Sequence, residues 1–232
     1  MQPYLIPKIT HKEQETIVFG LDATRALFQL SNNTKAKAKM ESGFNRGWDE
    51  SYQDNYDEGT RVEAFVFGED DATPAALPNI WPPALIDLHR SNLKKIISLS
   101  EGLIKDTLSA NDTAISALLA RSEIDDLRAK LSFYSSSSNF KKTNKYVVCD
   151  AHTDFGLATL NVSSDPTWVE VKLDRGSWHR LAVPCYQPIL WYGDQTLCIP
   201  NAHFKPCIHQ ISYSQECDMQ QRFGISVFLD IK

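Results

Sequence analysis

Apolar residues in the first half of the chain recur at helical spacing. Between residues 85 and 108 they fall at intervals of three and four, shortly after Pro82 and Pro83. This spacing places apolar side chains on one face of a helix, and proline is favoured at a helix start. We therefore predict a long amphipathic helix here, a shorter one around residues 112–121, and a polar, aromatic-rich loop region over residues 42–60.

The pattern changes near residue 130, where short β-rich runs begin. Eight such runs, divided by Gly, Pro, Asn, Asp and Ser clusters, cover residues 130–134, 145–150, 157–162, 168–173, 179–183, 188–193, 207–213 and 223–231. Regularly spaced short strands are typical of a sandwich or a jelly roll. The sequence thus predicts an α+β chain with a mainly β core, divided into a helical and loop region, 1–128, and a β domain, 129–232.

Composition narrows the classes of function. The chain has 232 residues, 42% of them hydrophobic, and a net charge of −5 without a long basic block. A nucleic-acid binder needs a stripe of lysine and arginine, so nucleic acid is not an expected partner.

We find no apolar run long enough for a signal peptide or a membrane span, and we predict a cytoplasmic protein. Five cysteines without Cys-x-x-Cys spacing argue against disulfides and structural zinc.

The run "CDAHTDFGLATL", residues 149–160, places a histidine and an aspartate two positions apart. On a strand, His152 and Asp154 project to the same side. By itself, the pair is more simply explained as a surface turn with a solvated histidine, unless a distant third ligand joins it. His209, in a strand-like run, is our candidate, and His203, in the turn before that run, is the alternative. Two histidines and a carboxylate form the facial triad of Fe(II) oxygenases, which leaves positions open for a co-substrate and O₂.

Five segments of the chain resemble a known family. "HTDFGLATL", the run from Gly176 to Ile211, and "RFGISVFLD" are similar to 2-oxoglutarate- and Fe(II)-dependent dioxygenases of the isopenicillin N synthase-like superfamily. "RVEAFVFGED" and "NIWP" resemble the segment that precedes that family's long helix. The order of motifs also agrees: His-x-Asp, the Gly193–Asp194 turn, a distal histidine and a late arginine. The resemblance implies a double-stranded β-helix, or jelly roll, with N-terminal helices packed against it.

The same resemblance implies roles for individual residues. It assigns the iron ligands and catalytic centre to His152, Asp154 and His209. It assigns the co-substrate 2-oxoglutarate to Arg222, Tyr134 and Ser132, of which the arginine pairs with the distal carboxylate. We place the substrate beside Lys130, Phe155 and Phe228. The implied reaction uses Fe(II), 2-oxoglutarate and O₂, with ascorbate as a reductant, to hydroxylate, desaturate or cyclise a small organic molecule.

The chain departs from the family pattern in three ways. Gly224 stands where the family usually has a serine that donates to the co-substrate carboxylate. Pro206 precedes His209 and suggests an edge strand or a bulge. An equivalent of the family's N-terminal segment is missing, so we expect an oligomer or a partner chain to cover the barrel. Two alternatives stay open: an iron oxidase of the same fold that does not use 2-oxoglutarate, and a degenerate, non-catalytic partner subunit.

Overall fold

The computed structural model describes most of the chain in nine stretches. They are residues 3–41, 46–50, 62–68, 79–121, 124–134, 145–165, 168–173, 176–214 and 221–232. Among these residues, none of the helices is both long enough and apolar enough to cross a membrane.

Four α-helices and eleven strands make up the described fold. The helices are α1 (His11–Phe28), α2 (Asn32–Lys35), α3 (Asp87–Asn111) and α4 (Thr113–Leu119). The strands are β1 (Tyr4–Leu5), β2 (Gly47–Asp49), β3 (Val62–Gly68), β4 (Ile124–Tyr134), β5 (Lys145–His152), β6 (Ala158–Ser163), β7 (Val169–Lys172), β8 (Trp178–Arg180), β9 (Ile189–Tyr192), β10 (His209–Ser214) and β11 (Arg222–Ile231). A 3-10 helical turn, Asp194–Cys198, follows β9.

The strands form two antiparallel sheets. A seven-stranded sheet has the order β1-β9-β6-β11-β4-β3-β2, and a four-stranded sheet has the order β5-β10-β7-β8. Helices α1 and α3 pack on each other and on β4 and β11, at the centre of the large sheet. The prediction of a mixed chain with helices before many strands is confirmed.

The predicted elements agree with the structure in most places. The long helix lies where apolar spacing put it, the shorter helix is α4, and each of the eight β-rich runs overlaps a strand. Most of the loop region 42–60 lies outside the described residues, although β2 falls within it. The division at residue 128 stays a prediction, and β1, β2 and β3 join the same sheet as β4. Of the two expectations for Pro206, the edge strand is wrong, because β10 lies between β5 and β7 and begins only at His209. Register shifts typical of a bulge do occur in β10, between His209 and Ser212.

Alternation along β11 separates the core from the functional side of the large sheet. Phe223, Ile225, Val227 and Leu229 belong to the main hydrophobic core, which also contains the apolar faces of α1 and α3. The intervening side chains point to the opposite face of the sheet, because successive residues of a strand alternate. On that face Arg222, Gly224, Ser226 and Phe228 line a pocket. Strand β4 divides in the same way, with Lys130, Ser132 and Tyr134 on the pocket side.

A buried ion pair joins the short helix α2 to β3. The Lys35 ammonium is 2% exposed and donates hydrogen bonds to Glu63 and, at 3.2 Å, to the carbonyl of Phe28 at the end of α1. Trp48 Nε1 donates to the same Glu63 carboxylate at 3.1 Å. Each charge therefore has a partner that offsets the cost of its burial.

We predict that removing only one of these two charges destabilises the fold. Lys35→Met should lower the free energy of unfolding by about 3–5 kcal/mol, because it leaves the Glu63 carboxylate buried and unpaired. Chemical denaturation measures this change, and Lys37→Met, at an exposed neighbouring lysine, is the matched control. The double variant Lys35→Met/Glu63→Gln should recover most of the loss. A single variant as stable as the wild type would contradict the pairing.

Candidate metal centre and adjoining pocket

Three side chains from two neighbouring strands converge at one end of the small sheet. His152 ends β5, Asp154 follows two residues later, and His209 begins β10, where it pairs in register with His152. Their ligand atoms all lie within 4.8 Å of one another. Asp154 Oδ1 is 3.8 Å from His152 Nε2 and 3.9 Å from His209 Nε2. The structure thus brings together the three residues that the sequence selected.

Backbone carbonyls fix the orientation of both imidazole rings. His152 Nδ1 lies 2.7 Å from the carbonyl oxygen of Asp150, and His209 Nδ1 lies 3.1 Å from that of Cys207. A carbonyl only accepts hydrogen bonds, so each neutral ring carries its proton on Nδ1. Each Nε2 then presents a lone pair to the centre of the cluster, which is the usual arrangement for metal-binding histidines.

The Asp154 carboxylate is held from the side opposite the histidines. Thr159 Oγ1 donates to Asp154 Oδ2 at 2.5 Å, and Trp191 Nε1 donates to the same oxygen at 2.7 Å. The Trp191 ring also packs against the His209 ring, with 4.5 Å between centroids. These two donors leave Oδ1 directed toward the two imidazoles.

Burial and the neighbouring charged groups shift the pKa values of Asp154 and His209 in opposite directions. Burial of Asp154 favours its neutral form, but His209, the hydrogen bonds from Thr159 and Trp191, and His152 together hold its pKa below the usual value. Burial lowers the pKa of His209, although the Asp154 carboxylate opposes this. Near neutral pH the site therefore presents a carboxylate and a neutral imidazole, which are the forms that bind a metal.

Close backbone packing holds the loop that carries Asp154. The Gly193 N–H donates to the Leu157 carbonyl at 3.0 Å, and the Asp194 N–H donates to the Asp154 carbonyl at 2.8 Å. A Cβ atom at Gly193 would lie 2.2 Å from the Gly156 carbonyl oxygen and 2.7 Å from that of Asp154. Only glycine fits there, which gives the Gly-Asp motif a physical reason.

A pocket extends from the ligand cluster between the two sheets. Its walls comprise Lys130, Ser132, Tyr134, Cys149, His152, Asp154, Asn161, Val169, Trp191, His209, Ile211, Arg222, Gly224, Ser226 and Phe228. Arg222, whose side chain is almost fully buried, donates from Nε to the Asp165 carbonyl at 2.9 Å. Its guanidinium carbon lies 4.7 Å from the centroid of the Tyr134 ring. Arg222 Nη1 is buried without a hydrogen-bond partner among the described residues.

The predicted site residues divide into those that line this pocket and those that do not. Lys130, Ser132, Tyr134 and Phe228 line it together with Arg222 and the ligand cluster. Phe155 is not among the lining residues and is 83% exposed, because it follows Asp154 in a turn beyond the end of β5. His203, the alternative ligand, is exposed, and its backbone N–H donates to Asp112.

Sequence reasoning missed several pocket residues. Trp191 and Asn161 were each assigned to a predicted strand and not to the pocket that they line. Asn161 Nδ2 donates to Ser226 Oγ at 2.9 Å across the pair β6–β11. Residue spacing could not have identified the contact of Trp191 with Asp154, because it depends on how β9 meets a loop 37 residues away.

Comparisons with known proteins agree with this geometry. No protein-family model matches the chain. The chain is 26% identical over 209 residues to Homoarginine-6-hydroxylase 2-ODD-233 of Oryza sativa subsp. japonica, a match that covers 82% of this chain and 63% of that protein. The chain therefore spans less than two thirds of the length of this relative.

Solved structures share the fold at lower identity. A 2OG-Fe(II) oxygenase family protein from Caulobacter crescentus superposes with a TM-score of 0.79 and 17% identity, over 99% of this chain and 77% of that one. A full-length Neurospora crassa protein, solved in complex with alpha-KG, gives a TM-score of 0.75 and 21% identity, over 99% and 73%. Together with the sequence match and the ligand cluster, these findings confirm the resemblance to 2-oxoglutarate- and Fe(II)-dependent oxygenases.

The residues present fit the metal and the co-substrate of that class. Two imidazoles and one carboxylate suit Fe(II), and the protein holds the other polar atom of each of the three side chains. A buried guanidinium nitrogen without a partner among the described residues suits a carboxylate that arrives with a ligand. The ligand cluster and Arg222 line the same pocket. A keto acid that chelates the metal at one end and pairs its second carboxylate with an arginine requires this arrangement.

We predict that His209, and not His203, binds the metal. His209→Ala should abolish Fe(II) binding in calorimetric titrations without O₂, because it removes one of three ligands and leaves an open site. His203→Ala, an exposed histidine six residues earlier, is the control and should keep wild-type affinity. The opposite outcome would show that the distal ligand is misassigned.

We also predict that the indole N–H of Trp191 contributes to metal affinity. Trp191→Phe should weaken Fe(II) binding by about 10- to 100-fold, because hydrogen bonds to a ligating carboxylate orient it and are worth that much. The matched control is Trp48→Phe, which also removes an indole hydrogen bond to a buried carboxylate, Glu63, but away from the cluster. Trp48→Phe should reduce stability only. Equal metal affinities for wild type and Trp191→Phe would refute the role.

Proposed function

We propose that this chain is an Fe(II)- and 2-oxoglutarate-dependent oxygenase that oxidises a small organic molecule. The reaction type that we propose is hydroxylation. One observation carries the proposal. The His152, Asp154 and His209 ligand cluster shares a single pocket with a buried arginine whose Nη1 lacks a partner among the described residues. The name and the fold of the similar proteins support the same reaction class.

Arg222 is the anchor that we propose for the distal carboxylate of 2-oxoglutarate. Burying a guanidinium with an unpaired N–H is costly unless an acceptor arrives. A carboxylate supplies two acceptor oxygens and a compensating charge, and planar guanidinium groups bind carboxylates through paired hydrogen bonds. The Tyr134 ring lies against the guanidinium and limits its movement, while the Asp165 carbonyl holds Nε.

We propose a double-stranded β-helix for the β core. The order of the strands supports it, since the eight consecutive strands β4 to β11 pass repeatedly between the sheets. Strands β4, β6, β9 and β11 lie in the large sheet, and β5, β7, β8 and β10 lie in the small one. In such a barrel the metal ligands and the co-substrate anchor lie on inward faces of opposite sheets.

The chain's residues position and shield the reactants. When bound, Fe(II) with 2-oxoglutarate supplies the oxidising chemistry, in which O₂ and the keto acid are converted to succinate and CO₂ and one oxygen atom goes to the substrate. Thr159 and Trp191 hold the Asp154 carboxylate in place. Val169, Ile211 and Phe228 provide apolar walls that exclude water from the reacting atoms.

Gly224 favours a second candidate, an iron oxidase that does not use 2-oxoglutarate. A serine at this position would add a hydroxyl donor next to Arg222, and glycine cannot supply one. A titration of the Fe(II)-loaded protein with 2-oxoglutarate, without O₂, decides between the two. Chelation by the keto acid should produce a weak visible charge-transfer band, and succinate should form when O₂ and ascorbate are added. Absence of both would favour the oxidase.

We predict opposite effects of two substitutions on 2-oxoglutarate affinity. Arg222→Ala should abolish binding, because it removes both the charge and the hydrogen bonds to the carboxylate. Gly224→Ser should tighten binding by up to about tenfold, the value of a typical hydrogen bond of about 1.5 kcal/mol. A Cβ atom there meets nothing closer than the Val162 carbonyl oxygen at 3.7 Å, and Arg222 Nη2 is 4.0 Å away.

Calorimetry on the metal-loaded protein without O₂ measures these affinities. Arg222→Lys, which keeps the charge and loses the paired geometry, should fall between wild type and Arg222→Ala. Fe(II) affinity, measured alongside, should be the same in all four proteins. Equal 2-oxoglutarate affinity in wild type and Arg222→Ala would remove Arg222 from the proposed role.

A further inference from the structure

A pair of polar side chains joins β6 and β11 on the pocket side of the large sheet. Asn161 and Ser226 lie opposite each other in the strand register, and Asn161 Nδ2 donates to Ser226 Oγ at 2.9 Å. Both residues line the pocket, and Asn161 is 7% exposed. Its Oδ1 is buried and has no hydrogen-bond partner among the described residues. A buried amide with one unpaired atom is costly, so the pair by itself is incomplete.

Asn161 lies between the two ends of the pocket. Two residues earlier on β6, Thr159 donates to the carboxylate of the ligand cluster. Two residues later, Ser163 donates to the Asp165 carbonyl, which also accepts from Arg222 Nε. Residues two apart on a strand face the same side and lie roughly 7 Å from each other. A ligand that reaches from the metal cluster to Arg222 therefore passes beside Asn161.

The Asn161 amide can present either of its polar atoms to such a ligand. A serine hydroxyl both donates and accepts, so a half-turn of the amide keeps the bond to Ser226, with Oδ1 as the acceptor. The last torsion of an asparagine side chain is broad and roughly twofold, which makes this half-turn accessible. It directs Nδ2 to the place that Oδ1 now occupies. The pair then offers a donor to the pocket, and the Ser226 hydroxyl holds it in that orientation.

The missing hydroxyl at Gly224 leaves a place for this donor. Gly224 lies between Arg222 and Ser226 on the same face of β11. A carboxylate accepts about four hydrogen bonds, and a guanidinium supplies two of them. The methylene groups of 2-oxoglutarate accept none, and its keto end belongs to the metal. The distal carboxylate is therefore the part of the co-substrate that suits an amide N–H at Asn161.

We propose that Asn161, oriented by Ser226, donates a hydrogen bond to the distal carboxylate of 2-oxoglutarate and supplies the donor that Gly224 lacks. The inference rests on the proposed oxygenase function and deepens it by adding a co-substrate-binding residue. A cross-strand pair that only stabilised the sheet would affect every ligand of the pocket alike. The proposed contact affects only ligands that carry the distal carboxylate.

2-Oxoglutarate and 2-oxopentanoate form a matched pair of probes, because they share the metal-chelating end and the chain length, and the second has a methyl group in place of the distal carboxylate. Titration of the visible charge-transfer band of the Fe(II)-loaded protein, without O₂, measures both affinities. Asn161→Leu should weaken 2-oxoglutarate binding by about 10- to 100-fold, the value of a hydrogen bond to a charged group, and leave 2-oxopentanoate binding unchanged. Ser226→Ala should cause a smaller loss with the same selectivity.

Gln210→Leu is the matched control. Gln210 is also a buried amide on a central strand, and it donates to Glu170, but it does not line the pocket. This variant should keep the wild-type affinity for both keto acids. Fe(II) affinity, measured first, should be the same in all of the proteins. Ser226→Ala, the smaller change, supplies the comparison if Asn161→Leu does not fold.

Two results would overturn this inference and leave the oxygenase function in place. One is equal 2-oxoglutarate affinity in the wild type and Asn161→Leu. The other is an equal loss of affinity for both keto acids, which would make Asn161 a residue that shapes the pocket. Absence of 2-oxoglutarate binding to the wild-type, Fe(II)-loaded protein is a distinct result, and it would overturn the oxygenase function together with the inference.

Discussion

The alternation of side chains along β11 and β4 is the constraint on which the rest of the structure depends. One face of these two central strands packs against α1 and α3, and the other face lines the pocket. A shift of register by one residue would turn Phe223 and Ile225 into the pocket and bury Arg222 in the helical core. The apolar residues of these two strands therefore also set the direction of their polar pocket residues, Arg222 and Tyr134 among them.

Pairing of buried charge organises the pocket in a second way. Asp154 has donors on one oxygen and histidines on the other, so its charge is stabilised in one orientation. Arg222 is satisfied at Nε, while Nη1 has no partner among the described residues. What makes this nitrogen a candidate ligand contact is its place, since Arg222 lines the same pocket as the ligand cluster.

Much of the site could be predicted from sequence because strand periodicity is local. His152 and Asp154 were selected from their spacing, and Arg222 and Tyr134 from the resemblance to the dioxygenase family; all four line the same pocket. Phe155 was selected only because it follows a ligand, and the chain turns there so that its ring faces solvent. Contacts such as Trp191 with Asp154 depend on how distant segments meet, which spacing does not encode.

The missed helix α1 has a similar explanation. Its start carries a capping box, in which Thr10 and Glu13 exchange hydrogen bonds, and this signal was present in the sequence. Gly20, however, weakens the helical pattern of the segment. The structure gives the reason for the glycine, since a Cβ atom there would lie 3.4 Å from Ile96 of α3, at the close contact between the two helices.

The central claim is that one pocket binds iron and 2-oxoglutarate and uses O₂ to oxidise the keto acid. Incubating the purified protein with Fe(II), ascorbate, 2-oxoglutarate and ¹⁸O₂ tests it most directly, because slow turnover without a substrate still forms succinate. Mass spectrometry should find one ¹⁸O atom in that succinate, and Arg222→Ala should form almost none. Unlabelled succinate, or none from the wild-type protein, would contradict the account.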